Sequence, residues 1–306
     1  MSAPLRVGTR ASLLATTQSR WVAHQLGVPV ELVEVNTEGD VNRGPLAQIG
    51  GTGVFVSALR DALLRDEVDV AVHSLKDLPT AAADGIVCAA IPLREDPRDA
   101  LVARNGLTLG ELPPRSTIGT GSPRRTAQLN ALGLVLTFLP IRGNVDTRLG
   151  KVASGEVDAV VLARAGLSRL GLLGEVTEML DPLQMLPAPG QGALAVECRA
   201  DVPHLVEQVA LTLDDLATRS AVEAERSLLA TFEAGCSAPV GALGEVVDGD
   251  DGVELWLRAV VVHPSGYPLI RQSATGRLDD AFEVGRDLAH QMLADGADSI
   301  VKEPVT

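Results

Sequence analysis

STIGTGSPRRTAQLNALGLVLTFLPIRGNVDTRLGKVA, residues 116–153, contains the same local unit twice. A short β-rich run, Ser116 to Gly119, leads into the turn GTGSPRR (119–125) and then a helical pattern. A second run, Leu134 to Ile141, leads into IRGNVDTR (141–148) and another helical pattern. In the first unit Ser122 has the character of an N-cap and Pro123 suits the first helical position. In the second, Asn144 is the expected N-cap. Strand, turn and helix repeated in this way predict a doubly wound α/β sheet. The turns also carry chemistry. Arg124 and Arg125 fall in one first helical turn, Arg142 just before the other, and Arg148 one turn inside it. A helix dipole disfavours cations there, whereas the unpaired N–H groups attract anions. One such turn is commonly solvated surface. Two in tandem point to a bound anion held by charge-assisted hydrogen bonds.

Working outward, the alternation continues on both sides. Leu5 to Thr9 reads as a strand, Ser12 to Leu26 as a helix, Val30 to Val35 as a strand, Val54 to Leu64 as a helix and Val68 to Val72 as a buried strand. The run Ile86 to Ile91 follows, then the polar segment REDPRDA, after which the pattern restarts. Strand and helix recur at 158–170, and Ala193 to Cys198 reads as one more buried strand that returns to the first domain. From about Asp214 the character changes. A long amphipathic helix, Leu216 to Phe232, precedes three strand-like runs, Val240 to Val247, Val253 to His263 and Pro268 to Thr275. Asp251 and Gly252 supply a hairpin signal, and a helix from Asp279 to Ala294 closes the pattern. The expected organisation is an α/β domain over 1–93 with 193–213, a second over 98–188, and a small α+β domain over 215–306.

Composition narrows the function. The chain of 306 residues has 40 acidic and 26 basic side chains, a net charge of −14. That balance argues against a nucleic-acid binder and makes clustered arginines a focused anion site. No apolar run reaches the length of a membrane span, and MSAPLRVGTR lacks the apolar core of a signal peptide. A cytoplasmic protein is expected. The three cysteines, Cys88, Cys198 and Cys236, suggest neither a disulfide framework nor a zinc site.

A second candidate site is VDVAVHSLKDLPT, residues 68–80, where an apolar strand ends and Ser74, Lys76 and Asp77 emerge. In open α/β sheets, ligands bind beyond the carboxyl ends of the strands. The bland alternative is a surface ion pair. Arg10 and Ser12 follow the first strand in the same manner, and Ser12 also suits a cap. Cys236, in EAGCSAPVGA, is the one cysteine on an evident loop, but no adjacent base supports a cycling thiol nucleophile. Cys88 and Cys198 lie in apolar runs. PAPGQGA (187–193) is weak evidence for a nucleotide site, and there is no GxGxxG or Walker motif.

Taken together, GTRASLLATTQ (8–18), AVHSLKDLPT (71–80), EDPRDA (95–100), GTGSPRR, RGNVDTRL (142–149), ARAGLSRLG (163–171), LPAPGQGALAVECR (186–199) and GCSAPVGA (235–242) resemble the porphobilinogen deaminase family, nearly end to end and in order. The resemblance implies two domains with a periplasmic-binding-protein-like fold that form a cleft, plus a small C-terminal domain. It implies that four porphobilinogen molecules are joined head to tail, each losing ammonia, and that water releases hydroxymethylbilane. The cofactor is a dipyrromethane primer attached through a thioether to Cys236. By the motifs, Asp77 is catalytic. Lys76, Ser74, Ser122, Arg124, Arg125, Gly143 and Asn144 bind the primer. Arg10, Ser12, Gln18, Arg142, Thr147, Arg148 and Arg169 face the substrate or the growing chain. Asp77 would stabilise the cation that forms on the pyrrole as ammonia leaves, and join in the proton transfers. No metal, membrane or nucleic-acid partner is implied, and a monomer is expected.

The sequence departs from the family pattern in places. Thr52 and Ser57 stand where lysines are common, Gly121 stands where serine is usual, and the segment 41–53 is the expected lid. A non-catalytic anion-binding module would explain the arginines, but not Asp77 beside Lys76 or the Cys236 loop.

Overall fold

The computed structural model describes residues 3–35, 54–233, 238–249 and 252–301. They divide into two compact units, residues 1–95 with 193–219 and residues 96–192 with 220–306.

Unit 1 is built on one mixed sheet. Its strands are β1 (Leu5–Thr9), β2 (Val30–Glu34), β3 (Val70–Ser74), β4 (Ile86–Ala90) and β10 (Leu194–Arg199), in the order β2-β1-β3-β10-β4. β1 runs parallel to β2 and β3, and β10 runs antiparallel to both of its neighbours. The returning strand is therefore present where the sequence places it. Burial on both faces explains why β3 and β10 read as continuous apolar runs. Helix α1 (Leu13–Leu26) and α6 (Pro203–Leu213) contribute Val22, Leu26, Leu205, Val209 and Leu213 to the core on one face. Helix α2 (Val54–Leu64) covers the other with Leu59, Ala62 and Leu63. Ser12 caps α1 by accepting from the Ala15 N–H at 3.3 Å. The helix stops at Gly27, in the left-handed conformation at φ 65°.

Unit 2 repeats this plan with β5 (Asp99–Ala103), β6 (Thr117–Gly119), β7 (Thr137–Leu139), β8 (Ala159–Ala163) and β9 (Glu178–Met179), ordered β7-β6-β8-β5-β9. β6 is parallel to β7 and β8, and β5 is the antiparallel strand. Helices α3 (Pro123–Ala131), α4 (Val145–Ala153) and α5 (Arg164–Arg169) follow β6, β7 and β8. Two expectations need correction. The strand read over 134–141 is confined to Thr137–Leu139, where it pairs with β6. The polar segment REDPRDA is not a mere connection, because its last two residues open β5, buried along its whole length.

The C-terminal elements are a three-stranded antiparallel meander, β11 (Val240–Gly249), β12 (Gly252–Val262) and β13 (Leu269–Gly276). It packs against α7 (Leu216–Thr231), α8 (Ala281–Ala294) and α9 (Ala297–Val301) through Leu228, Leu255, Leu257, Leu288 and Met292. β11 and β12 pair through Gly249 opposite Gly252, as the hairpin signal requires. Among the described residues, no helix is long and apolar enough to cross a membrane.

Candidate active site

In unit 1 the candidate residues gather at the carboxyl ends of β1 and β3. Arg10 and Ser12 follow β1 directly, and Ser12 spends its hydroxyl on the α1 cap. Gln18, in the second turn of α1, is buried and turned to the end of β3. Its Nε2 donates to Ser74 Oγ at 3.2 Å, and that hydroxyl donates back to Gln18 Oε1 at 3.3 Å. These two side chains thus fasten each other where β3 gives way to a 3-10 turn, Leu75–Asp77. The turn is held by the Leu75 N–H donating to Ala193 O at 3.0 Å and the Leu78 N–H to Leu75 O at 3.1 Å. With Leu75 and Leu78 anchored in the core, Lys76 and Asp77 are left partly exposed. Among the described residues no hydrogen bond or ion pair engages the Asp77 carboxylate. An anchored carboxylate of this kind is preorganised for a ligand N–H or a developing cation.

In unit 2 the two arginine turns stand at the carboxyl ends of adjacent parallel strands. Ser122 is the N-cap position of α3 and Pro123 its first residue, as the sequence indicates. Gly121 has room for little else, since a Cβ would lie 2.9 Å from Ile141 O. At α4, Asn144 Oδ1 accepts from Thr147 N at 2.9 Å and from Thr147 Oγ1 at 2.7 Å. Gly143 precedes the cap at φ 106°, and a Cβ there would meet Thr147 at 2.8 Å. Thr147 is therefore committed to shaping the turn. Arg142 is exposed beside it, and Arg148 folds back so that Nε donates to Gly143 O at 2.9 Å. Arg169, at the end of α5, donates from Nη2 to Gly192 O at 2.7 Å.

Arg124 and Arg125 are almost wholly buried. Both reach Asp99, the first residue of β5. Arg124 Nη1 lies 2.8 Å from Oδ2 and Arg125 Nη2 lies 2.7 Å from Oδ1. Gln191 Nε2 donates to the same Oδ1 at 2.9 Å. Burial would push Asp99 up, but the two guanidinium groups outweigh it and hold the carboxyl far below the usual range. Sequence reasoning missed Asp99 and Gln191. Both lay inside recognised motifs, and an Asp opening an apolar run was the available signal.

Arg148 is pushed down to about 10, first by burial and then by repulsion from Arg125 and Arg142. The two turns are thus electrostatically coupled, Arg148 of the second sensing Arg125 of the first. In addition, Arg124 Nε is buried and has no hydrogen-bond partner among the described residues. Clustered cations, a buried guanidinium donor and two helix N-termini suit a ligand with several carboxylates, and a dipyrromethane with acetate and propionate arms is one.

Cys236 and the segment 41–53 lie outside the described residues, and so does Thr52. Ser57 is exposed on α2. Cys198 is buried, and burial first of all pushes its thiol up to about 12, as an inert core position requires. Cys88 is partly buried.

The chain matches two family models, "Porphobilinogen deaminase, dipyromethane cofactor binding domain" over residues 5–207 and "Porphobilinogen deaminase, C-terminal domain" over residues 220–294. It is 58% identical to Porphobilinogen deaminase 1 of Streptomyces avermitilis over 317 aligned residues, covering 98% of each chain. It is 57% identical to Porphobilinogen deaminase of Thermobifida fusca, covering 98% of this chain and 96% of that one. Among solved structures, the methionine-binding protein MetQ aligns at TM-score 0.42 and 14% identity, over 68% of this chain and 89% of that one.

Proposed function

The chain belongs to the porphobilinogen deaminase family, and from that premise we propose that it deaminates porphobilinogen and joins four molecules head to tail, releasing hydroxymethylbilane for tetrapyrrole synthesis. The observation that carries this reading is the cationic cluster of unit 2, in which Arg124 and Arg125 share Asp99 and Arg148 is repelled by Arg125 and Arg142.

By the resemblance, the primer would be attached through Cys236, with Ser74, Lys76, Ser122, Arg124, Arg125, Gly143 and Asn144 as its binding residues. When bound, it would supply the nucleophilic pyrrole carbon to which the first unit is joined. Arg10, Ser12, Arg142, Arg148 and Arg169 orient substrate carboxylates through charge-assisted hydrogen bonds. Gln18 acts indirectly, by fixing Ser74, and Thr147 by fixing the turn at Gly143.

Asp77 does the chemistry. As ammonia leaves porphobilinogen, positive charge spreads over the ring and onto its N–H. A fixed carboxylate accepting from that N–H stabilises the charge as it forms. The same oxygen atoms can accept the proton lost from the attacked ring carbon and return one to a leaving amine. Arginines alone would bind the substrate and oppose its cation. The enzyme is read as a cytoplasmic monomer with a small-molecule substrate, its C-terminal sheet forming a third domain.

Intact mass of the purified protein, before and after porphobilinogen is added, tests the reading. The expected result is an adduct of dipyrromethane size lost in Cys236→Ser, with ammonia and hydroxymethylbilane released by the wild type. An unmodified thiol in folded protein that releases no ammonia would favour a simple anion binder.

A further inference from the structure

Unit 1 holds a second buried ionic cluster to which the proposed chemistry assigns no role. Glu197 on β10 and His73 on β3 are 3% and 6% exposed. In the antiparallel register Glu197 stands opposite Ala71 and His73 opposite Ala195. Opposed residues, and alternate residues along a strand, share a face, so Glu197 and His73 project on the same side as Ala71, toward α2. From α2, Arg60 closes on the carboxylate with a two-point fork, Nε to Oε2 at 3.0 Å and Nη2 to Oε1 at 2.7 Å. His73 Nε2 lies 3.2 Å from Oε2. Burial would push Glu197 up, but His73 and Arg60 together hold it down at about 2.

The surroundings call for no charge. Leu59, Leu63, Val68 and Ala71 form an apolar cluster on this face. Replacing a buried ion pair with apolar groups of similar volume is commonly neutral or stabilising, so the cluster is weakly explained by stability alone. Its place in the chain is more telling. His73 immediately precedes Ser74, which Gln18 fastens, and the 3-10 turn that presents Lys76 and Asp77. Glu197 ties the end of β3, through His73, to Arg60 on α2, so a rotation of that strand end would break the His73–Glu197 contact.

We infer that Arg60 and Glu197 are positioning residues, acting through His73 to fix the turn that carries Lys76 and Asp77. This rests on the role proposed for Asp77. The experiment compares the wild type with Glu197→Gln and with the apolar double variant Arg60→Met/Glu197→Leu, each quantified as primer-loaded, folded protein. Amide exchange at Leu75 and Leu78 reads the turn directly. Glu197→Gln should speed that exchange about tenfold and lower turnover by up to about a hundredfold, with KM within a few-fold, as misplacement of a catalytic group does. The double variant should recover the thermal midpoint while turnover and protection stay low. If it recovers all three, the ion pair is only packing and the inference is overturned. Unchanged exchange and turnover in Glu197→Gln overturns it as well. Were the wild type to release no ammonia, the role of Asp77 would fall, while the exchange comparison would still decide whether these residues hold the turn.

Discussion

Arg125 spends every guanidinium nitrogen inside the protein, two of them on Asp99. Nε and Nη2 lie 3.2 and 2.7 Å from Asp99 Oδ1, and Nη1 donates to Val161 O at 2.8 Å. Arg124 meets the other oxygen of the same carboxylate. The twin arginines are therefore oriented by β5 and β8 before any ligand arrives, and Asp99 lowers their joint charge from two to one. Such preorganisation reduces the ordering that binding would otherwise require.

Asp99→Asn should leave two buried guanidinium groups with no counter-charge. Removing one partner of a buried pair destabilises by about 3–5 kcal/mol. The check is denaturant unfolding of primer-free protein, which removes any contribution from the bound polyanion. A midpoint equal to that of wild type would show that Arg124 and Arg125 do not depend on Asp99.

Acid should weaken the fold through Glu197. The folded-state value lies at about 2, below the ordinary 4.5. A depressed carboxyl contributes stability that is fully present above the unfolded value and lost as pH falls through the folded one. The contribution should therefore fade between about pH 4.5 and pH 2, and amounts to about 3 kcal/mol from the size of the shift. Acid unfolding followed in wild type and Glu197→Gln should show a shallower decline over that window in the variant. Parallel curves would contradict the assignment.

Glu197 also shows how the sequence conceals its tertiary chemistry. LAVEC reads as a buried strand with an odd glutamate in it, and its counter-ion Arg60 lies 137 residues earlier. Asp99 was similarly veiled by the polar REDPR before it, although DALVA is a fully buried strand. Helix α6 was not read from the sequence, although Pro203 suits its first turn. Local signals fared better. Ser12 and Asn144 cap their helices through their side chains, and Ser122 occupies its N-cap position without a side-chain cap hydrogen bond, because a cap depends on neighbours within a few residues. The arginine turns were legible for the same reason. That Arg124 and Arg125 share the carboxylate of Asp99 was not, since strand order decides it.

Arg148→Ala should damage chain growth more than primer attachment. Its guanidinium is held by Gly143 and repelled by Arg125 and Arg142. Removing it relieves that repulsion, so the primer-free protein should be no less stable than wild type. It also removes charge-assisted hydrogen bonds to substrate carboxylates, each contributing about 1.5–3 kcal/mol. Intact mass should show a normal primer adduct, with heavier species spaced by single pyrrole units persisting after porphobilinogen is added. Full turnover together with wild-type stability would mark this turn as surface.

Asp77→Asn should separate binding from chemistry. The turn that presents Asp77 is anchored by Leu75 and Leu78, so an isosteric amide there should leave its backbone unchanged. The amide cannot neutralise a cation, and its NH2 sets donors where the pyrrole N–H needs an acceptor. Loss of one preorganised electrostatic contact commonly lowers turnover by about a hundredfold or more. Substrate carboxylates would still meet Arg10, Arg142 and Arg148, so affinity should fall far less. Single-turnover ammonia release, measured beside substrate binding on protein with a verified primer, makes the comparison. Turnover within a few-fold of wild type would remove Asp77 from the mechanism, whereas equal losses in binding and turnover would make it a binding residue. A large loss in turnover with nearly constant affinity is what cation stabilisation by the carboxylate requires.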